Sequence, residues 1–211
     1  MQIIKVEFNP FSVNTYIVYS ENKEAIIIDP GCFSTEEEEK FIDIINKNNI
    51  IPKKILLTHA HIDHIFGCAF IQEKFKIDLL MHKKGDIFFE TAINYAQMFG
   101  MDKIQLPKKK LFIENNDKIF INENINFIAL HTPGHADGSL CFYNSKNNIL
   151  FSGDVLFKES IGRTDLPTGN YDNLIKNIKE KLLKLPSNTI VYPGHGPHTT
   201  IENEINNNPF L

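Results

Sequence analysis

A cluster of metal-binding side chains at the end of an apolar strand constrains this chain more than any other stretch. Residues 55–57, Ile-Leu-Leu, form a short β-type run that leads directly into it. Apolar residues between positions 65 and 70 then recur at helical spacing, so we expect a helix to start within or just after the cluster. The cluster lies on the corner between strand and helix and consists of His59, His61, Asp63 and His64.

Three imidazoles and one carboxylate within so short a stretch predict bound metal. On a strand–turn–helix corner, His59 and His61 can point one way while Asp63 and His64 point another. This divergence suits two neighbouring ions better than one. Imidazole and carboxylate ligands suit zinc, iron or manganese. No cysteine lies within the cluster, which argues against a closed structural zinc site.

Three further candidate ligands follow apolar, strand-like runs later in the chain. His135 follows residues 127–130, Asp154 follows residues 149–151, and His195 follows residues 189–192. The cluster and these later positions, in this order, resemble the signature of the metallo-β-lactamase superfamily of metal-dependent hydrolases. The resemblance covers nearly the whole chain.

The resemblance implies a fold and a set of ligands. The implied fold is α+β, a four-layer αβ/βα sandwich with the metal site at one edge between two sheets. Two divalent ions are implied, with zinc expected and iron or manganese as alternatives. The first ion would be held by His59, His61 and His135, the second by Asp63, His64 and His195, and Asp154 would bridge both. Asp63 and Asp154 would also be the catalytic carboxylates.

The length of 211 residues predicts a single domain, residues 1–211, made of two fused αβ halves. The approximate halves are residues 1–115 and 116–211. Each half is expected to contain strands followed by helices, without parallel βα alternation. This order favours two sheets with the helices outside.

Helical patterns are predicted at three places outside the cluster. Ser34 or Thr35 would cap a helix that runs to about residue 48, and residues 171–185 form an amphipathic helix. In the insertion 83–110, apolar residues at helical spacing predict a helix that ends at Gly100. These residues are expected to pack in the core. The alternative is that Tyr95, Met98 and Phe99 line a substrate cleft.

The segment after Asp154 narrows the resemblance. Residues 160–169, Ser-Ile-Gly-Arg-Thr-Asp-Leu-Pro-Thr-Gly, resemble the small glyoxalase II type of hydroxyacylglutathione hydrolase. We expect an ion pair between Arg163 and Asp165 to hold this loop, with substrate binding as the alternative. Asp29 lies at the end of a predicted buried strand, where an aspartate can simply form the turn. The resemblance implies that this position supports the metal loop, which makes Asp29 a candidate for that role. His82 is expected to be an ordinary strand-end residue.

This resemblance implies hydrolysis of a thioester such as S-lactoylglutathione. Two ions about 3.5–4 Å apart can share a water and lower its pKa from about 15.7 towards 7, so a metal-bridging hydroxide would attack the acyl carbon. A thiolate leaving group, with a pKa near about 8.5, needs little help from a general acid. Long-form glyoxalase II enzymes carry a C-terminal helical extension for glutathione, and this chain stops soon after His195. Another thioester is therefore an alternative substrate.

Other activities of this scaffold fit the sequence less well. The nearest rival is a persulfide dioxygenase with one iron held by two histidines and an aspartate. It shares the residues Gly-Arg-Thr-Asp at 162–165, but has Gly-Cys where this chain has Ser160 and Ile161. A β-lactamase is expected to be exported, and the N-terminus has no signal-peptide pattern. A non-enzymatic interaction module would not need seven polar ligands.

Composition limits the partners. The formal charge of -4 argues against a nucleic-acid partner, because a phosphate-binding surface needs net basic charge. No apolar run reaches the length of a membrane span. The three dispersed cysteines do not form a disulfide framework and favour a reducing cytoplasm. The expected partner is a small-molecule thioester, and the sequence does not predict an oligomeric state.

Overall fold

Runs of isoleucine, valine, leucine and phenylalanine form the strands of two six-stranded sheets. The structure, a computed structural model, describes residues 1–98, 100, 104–123 and 125–211. The first sheet contains, in spatial order, β1 (Gln2–Phe8), β2 (Val13–Tyr19), β3 (Glu24–Ile28), β4 (Ile51–Leu56), β5 (Asp78–Met81) and β6 (Lys110–Phe112).

The second sheet is built from the later strands of the chain. Its strands are β7 (Lys118–Asn122), β8 (Ile125–His131), β9 (Leu140–Asn144), β10 (Ile149–Gly153), β13 (Ile190–Pro193) and β14 (Thr199–Thr200). Between β10 and β13 the chain forms a separate two-stranded sheet of β11 (Leu156–Phe157) and β12 (Ser160–Ile161). Their spatial order is β14-β13-β10-β9-β8-β7. The boundary between the sheets falls between β6 and β7, near the expected division at residue 115. That both halves form one domain stays a prediction.

Helices follow the strands in both halves. They are α1 (Thr35–Lys47), α2 (Ile62–Ile65), α3 (Cys68–Phe75), α4 (Asp86–Met98), α5 (Tyr171–Asn177) and α6 (Ile201–Asn207). The Ser34 side chain caps α1, as expected, by accepting a hydrogen bond from the backbone N–H of Glu37. The helix predicted for residues 171–185 is divided, because α5 continues as a π-helical segment, Ile178–Leu182. Among the described residues, no helix is long and apolar enough to cross a membrane.

Alternate side chains of the central strands face different apolar layers, because a strand has a period of two. In β9, Leu140 and Phe142 belong to the cluster between the two sheets. Cys141 and Tyr143 point the other way, into the cluster that includes the apolar side of α5. Strands β2 and β3 divide their side chains in the same manner between the inter-sheet cluster and the cluster under α1 and α3. The expected α+β four-layer arrangement is thereby confirmed.

Half of the first sheet is parallel, so the expectation of no parallel βα alternation was wrong. β3 pairs in parallel with β4, β4 with β5, and β5 with β6. Parallel neighbours need a crossover connection, which α1, the α2–α3 pair and α4 supply in turn. The carboxyl ends of these strands meet at one edge of the sheet, and the histidine cluster follows β4 at that edge.

Two stacked histidines connect the halves at the ends of β5 and β8. The rings of His82 and His131 lie with centroids 4.0 Å apart and planes at 11°. His82 Nε2 donates to the Glu114 carboxylate over 3.0 Å, and His131 Nε2 donates to the carbonyl of Asp137 over 2.7 Å. His82 is thus a buried contact between halves, beyond the ordinary strand-end role expected for it. Burial lowers the pKa of His131, which favours its neutral form.

This lowered pKa predicts a pH dependence of stability. Below about pH 6.5 the unfolded chain binds a proton at His131 that the native protein resists. The contribution of this ring is therefore complete above that pH and decreases as the pH falls. Urea unfolding of metal-loaded protein between pH 7.5 and 5.5 should show a smaller loss of unfolding free energy for His131→Phe than for wild type. The exposed His198, changed to Phe, is the control; equal losses in all three proteins would contradict the prediction.

Candidate metal centre

A change of backbone conformation separates the four clustered side chains. β4 ends at Leu56, the chain bends at Thr58, and His61 has an extended backbone directly before the first turn of α2. Asp63 and His64 lie within α2, which ends at Ile65 before α3 begins. His59 and His61 therefore project from the non-helical segment before α2, while Asp63 and His64 project from a helical turn. The switch produces the divergence that the sequence predicted.

The second half supplies three more side chains to the same edge. His135 follows β8, Asp154 follows β10 and His195 follows β13. β10 and β13 are parallel neighbours, so Asp154 and His195 leave the sheet side by side. The side chains from both halves meet where the carboxyl ends of β4, β10 and β13 face one another across the inter-sheet layer.

Three groups of ligand atoms converge there. In each group, one ligand atom per residue lies within 4.8 Å of the others. The groups are His59, His61 and His135; His59, His64 and Asp154; and Asp63, His64 and His195. The first and third are the two sets that the resemblance assigned to two ions, and the second connects them. The structure thus brings all seven predicted residues together, while their role as ligands stays a proposal.

Hydrogen bonds on the outer side fix which nitrogen of each ring carries the proton. The Thr58 hydroxyl donates to Asp29 Oδ2 over 2.6 Å, so it accepts a hydrogen bond from His59 Nδ1 over 3.1 Å. His135 Nδ1 donates to the carbonyl of Arg163 over 2.8 Å. The Nε2 atoms of His59 and His135 consequently present lone pairs to each other, 3.3 Å apart. Two facing lone pairs repel unless a cation lies between them.

His61 and His64 complete this inward-facing set. His61 Nδ1 lies 2.9 Å from His135 Nε2. His64 Nδ1 donates to Asp29 Oδ2 over 3.0 Å, which turns Nε2 towards the carboxylates of Asp63 and Asp154 at 3.5 and 3.4 Å. In the described part of the chain, the buried atoms His64 Nε2 and Asp154 Oδ1 have no hydrogen-bond partner. Leaving such atoms unpaired is costly, and divalent cations would satisfy them, so these residues fit metal ions.

The first group is held in the form that binds metal. Burial, together with the nearby His64, holds the pKa of His59 well below its usual range. Burial and the nearby His135 lower the pKa of His61 to about 3. Burial also lowers the pKa of His135. A metal ligand must be a neutral imidazole, so this group can accept a cation at neutral pH without first losing protons.

The second group is charged. Burial opposes ionisation of Asp154, but the positive charge of His64 outweighs it and lowers the pKa of the carboxyl group. Burial likewise opposes protonation of His64, yet Asp63, Asp154 and Asp29 raise its pKa well above the usual range. A proton on His64 thus balances the carboxylates when no cation is present. A divalent ion binding here would displace that proton.

Asp29 supports the cluster from behind. It directly follows β3 with a φ of 49°, a left-handed conformation that Asp tolerates better than most residues. Its buried carboxylate accepts hydrogen bonds from the Thr58 backbone N–H at 2.7 Å and, as described, from the Thr58 hydroxyl and His64 Nδ1. One carboxylate therefore orients His64 directly and His59 through Thr58. These contacts match the supporting position expected for Asp29.

Two buried polar residues that the sequence did not single out hold the His195 loop. Asn14 Nδ2 donates to the carbonyls of Pro193 and Gly196 over 3.0 and 2.9 Å. The Tyr16 hydroxyl donates to the same Pro193 carbonyl over 2.6 Å. Both lie on β2, a fully buried strand. Polar side chains in such an apolar strand were the available signal for this role.

The loop after Asp154 and helix α4 surround the centre. Arg163 pairs with Asp165 through two contacts of 2.8 and 2.7 Å, so the expected ion pair is present. The ring of Phe88 on α4 lies edge-on to His61 with centroids 4.9 Å apart. Tyr95 and Met98 are exposed rather than packed in the core. Phe99, the third residue proposed to line a cleft, lies outside the described residues.

Comparison with known proteins decides the family. The sequence pattern that defines the metallo-β-lactamase superfamily matches residues 8–195. The chain belongs to the metallo-β-lactamase superfamily. Hydroxyacylglutathione hydrolase GloC of Haemophilus influenzae is 36% identical over 212 residues, covering 100% of this chain and 98% of the relative.

Solved structures of the superfamily agree with the fold. The crystal structure of BLEG-1 B3 metallo-β-lactamase is 37% identical with a TM-score of 0.89, and the match covers 100% of this chain and 99% of that one. The crystal structure of TTHA1623 in a di-iron-bound form is 36% identical with a TM-score of 0.88, covering 99% and 100%. Family membership and the His/Asp cluster together indicate an enzyme with a site for divalent metal.

Asp29→Asn should weaken metal binding. An amide still tolerates the left-handed backbone, but it cannot accept from both Thr58 and His64 and presents an N–H group to one of them. We expect the affinity for a divalent ion to fall about 10–100-fold, as is usual when a ligand loses its supporting partner. Competition with a chromophoric chelator measures this affinity. Asp43→Asn, an exposed change on α1, is the matched control; identical affinities in both variants would refute the supporting role.

Proposed function

We propose that this protein is a binuclear metal-dependent hydrolase that cleaves thioesters, with S-lactoylglutathione as the first substrate to test. The observation that carries the proposal is the pair of ligand groups with Asp154 between them, whose Oδ2 lies 3.8 Å from His135 Nε2 in one group and 3.6 Å from His195 Nε2 in the other. The 36% identity to a protein named hydroxyacylglutathione hydrolase supports the thioester as substrate class. The three free cysteines are buried, which supports a reducing cytoplasm as the location.

The chain supplies five imidazoles and two carboxylates to this site. Two divalent ions bound there would lower the pKa of a shared water and polarise the acyl carbonyl. We assign Asp63 and Asp154 the catalytic roles of holding the ions and orienting the attacking water by accepting hydrogen bonds at their carboxylate oxygens. Zinc is the proposed metal, with iron and manganese as alternatives, because all seven donors are nitrogen or oxygen.

A thioester suits a site without a dedicated acid. In hydrolysis the water oxygen bonds to the acyl carbon, the carbon–sulfur bond breaks, and sulfur leaves with the bonding electron pair. Thiols have a pKa of about 8.5, so thiolate is a stable leaving group near neutral pH and takes up a proton from solvent. The proposal therefore requires no proton donor from the chain.

Two rivals share the scaffold. The similarity to the B3 metallo-β-lactamase makes β-lactam hydrolysis the second candidate. A mononuclear iron persulfide dioxygenase would use two histidines and an aspartate as ligands. The group of Asp63, His64 and His195 would then bind no metal ion. The convergence of that group therefore favours the binuclear hydrolase over the dioxygenase.

One set of assays separates these functions. Purified, metal-loaded protein should contain two metal ions per chain and release free thiol from S-lactoylglutathione, with much slower cleavage of the β-lactam nitrocefin. Oxygen consumption with glutathione persulfide, together with one iron per chain, would replace the hydrolase proposal by the dioxygenase. Faster cleavage of nitrocefin than of any thioester would replace it by the β-lactamase.

His59→Ala should abolish thioester turnover while the far-ultraviolet circular dichroism stays that of the wild type. His59 belongs to the first group and to the group that connects the two, so its loss removes a donor from the set proposed for the first ion and disrupts the connection to the second. His195→Ala should instead reduce the metal content from two ions to one, because His195 belongs to the Asp63 group alone among these groups. His198→Ala, an exposed change nearby, is the control for both measurements. Unchanged turnover in His59→Ala would remove that residue from the ligand set.

A further inference from the structure

Helix α4 carries an apolar face that continues from the metal centre. Phe88 lies edge-on against His61, so this helix contacts the candidate ligand set directly. Phe88, Thr91, Tyr95 and Met98 follow at i, i+3, i+7 and i+10, which places them on one face of the helix. With a rise of about 1.5 Å per residue, the face extends about 15 Å from Phe88 to Met98.

Beyond Phe88, which packs partly against the core, this face is not part of the core. The side of α4 that packs inward is formed by Phe89, Ala92 and Ala96. On the other face, Tyr95 is 39% and Met98 79% exposed. Apolar side chains that are exposed beside a group of metal-binding side chains form a candidate binding surface. Since the face begins at a metal-site histidine, its occupant and the reacting group can belong to the same molecule.

The chemistry of the face selects the kind of occupant. Its side chains are aromatic, thioether and hydroxyl groups, and none of them carries a charge. The first-turn acid of the helix, Asp86, pairs with Lys110. A glutathione moiety carries two carboxylates, which would lose hydration against the uncharged side chains of this face. An alkyl or aromatic group would gain from the same contact.

We propose that this face of α4 binds an apolar substituent of the thioester, so that the preferred substrates carry an uncharged alkyl or aromatic group. This inference rests on the proposed thioester hydrolysis. The substituent can belong to the acyl group or to the thiol, and these two sources are chemically equivalent at the face. Phe88, Tyr95 and Met98 are then the residues that determine specificity.

Two substrate series test the inference with metal-loaded protein. The acyl series runs from S-acetyl to S-dodecanoyl N-acetylcysteamine, and the thiol series consists of acetyl thioesters of ethanethiol to dodecanethiol, so that the longest chains match the length of the face. In the series that matches the source of the substituent, kcat/KM should rise about tenfold or more from the shortest to the longest member, because each added methylene is buried. Equal kcat/KM along both series would overturn the inference. If S-lactoylglutathione were still cleaved, the proposed function would stand without it.

Matched variants place the effect on this face. Met98→Glu should lower the ratio of kcat/KM for the longest to the shortest substrate about tenfold, because it puts a charge where the chain binds. Ile93→Glu is the control, because Ile93 is similarly exposed on the same helix but points away from this face. Its ratio should equal that of the wild type. Equal ratios in Met98→Glu and Ile93→Glu would contradict the assignment.

Binding without turnover separates this inference from the proposed function. Calorimetry with the thioether S-dodecyl-N-acetylcysteamine, whose thioether bond is not a substrate for hydrolysis, should show weaker binding to Met98→Glu than to Ile93→Glu. Such binding in a protein that cleaves no thioester would support the apolar face and overturn the hydrolase. Light scattering measures the oligomeric state and so tests whether a second copy of the chain occupies this face. If Met98→Glu dissociated a dimer and left the substrate ratio unchanged, the face would be an interface and the inference would be wrong.

Discussion

Repulsion between facing lone pairs is the constraint on which the rest of the site depends. His59 and His135 direct Nε2 lone pairs at each other because Thr58 and the Arg163 carbonyl hold the ring protons on the outer nitrogens. The rings cannot relieve this repulsion by turning a proton inward without breaking those outer hydrogen bonds. The native fold thus holds these imidazole nitrogens close together, and a positive charge between them is needed to offset their repulsion. Strands, turns and supporting residues are arranged around that requirement.

Much of this arrangement could be predicted from sequence because its signals are local. The imidazoles and the carboxylate of residues 59–64 are chemically distinctive and lie next to one another, and the apolar runs before His135, Asp154 and His195 predict strands that end at ligands. The alternation of β9 side chains between two apolar layers follows from the period of two that any strand has. The direction of the strands in the first sheet could not be predicted in this way. It depends on how the helical crossovers pack, which is a tertiary property.

The supporting residues were harder to predict, because their partners are distant in sequence. Asn14 reaches Pro193, which is 179 positions away, and a single asparagine in a strand does not identify that partner. The stacking of His82 on His131 likewise depends on the docking of one half against the other. The supporting role of Asp29 could be predicted only from the resemblance to a family, because an aspartate at the end of a strand is equally typical of a turn.

The candidate ligands and the proposed apolar binding face of α4 come from different elements, and this separation has a consequence for variation. The candidate ligands lie on the chain ends of rigid strands and on α2, whereas α4 contributes no member to the ligand groups. Surface substitutions on α4 can therefore change the substrate preference without moving the candidate ligand atoms. Relatives that share the same metal-binding framework can therefore differ in substrate preference through the exposed side of one helix.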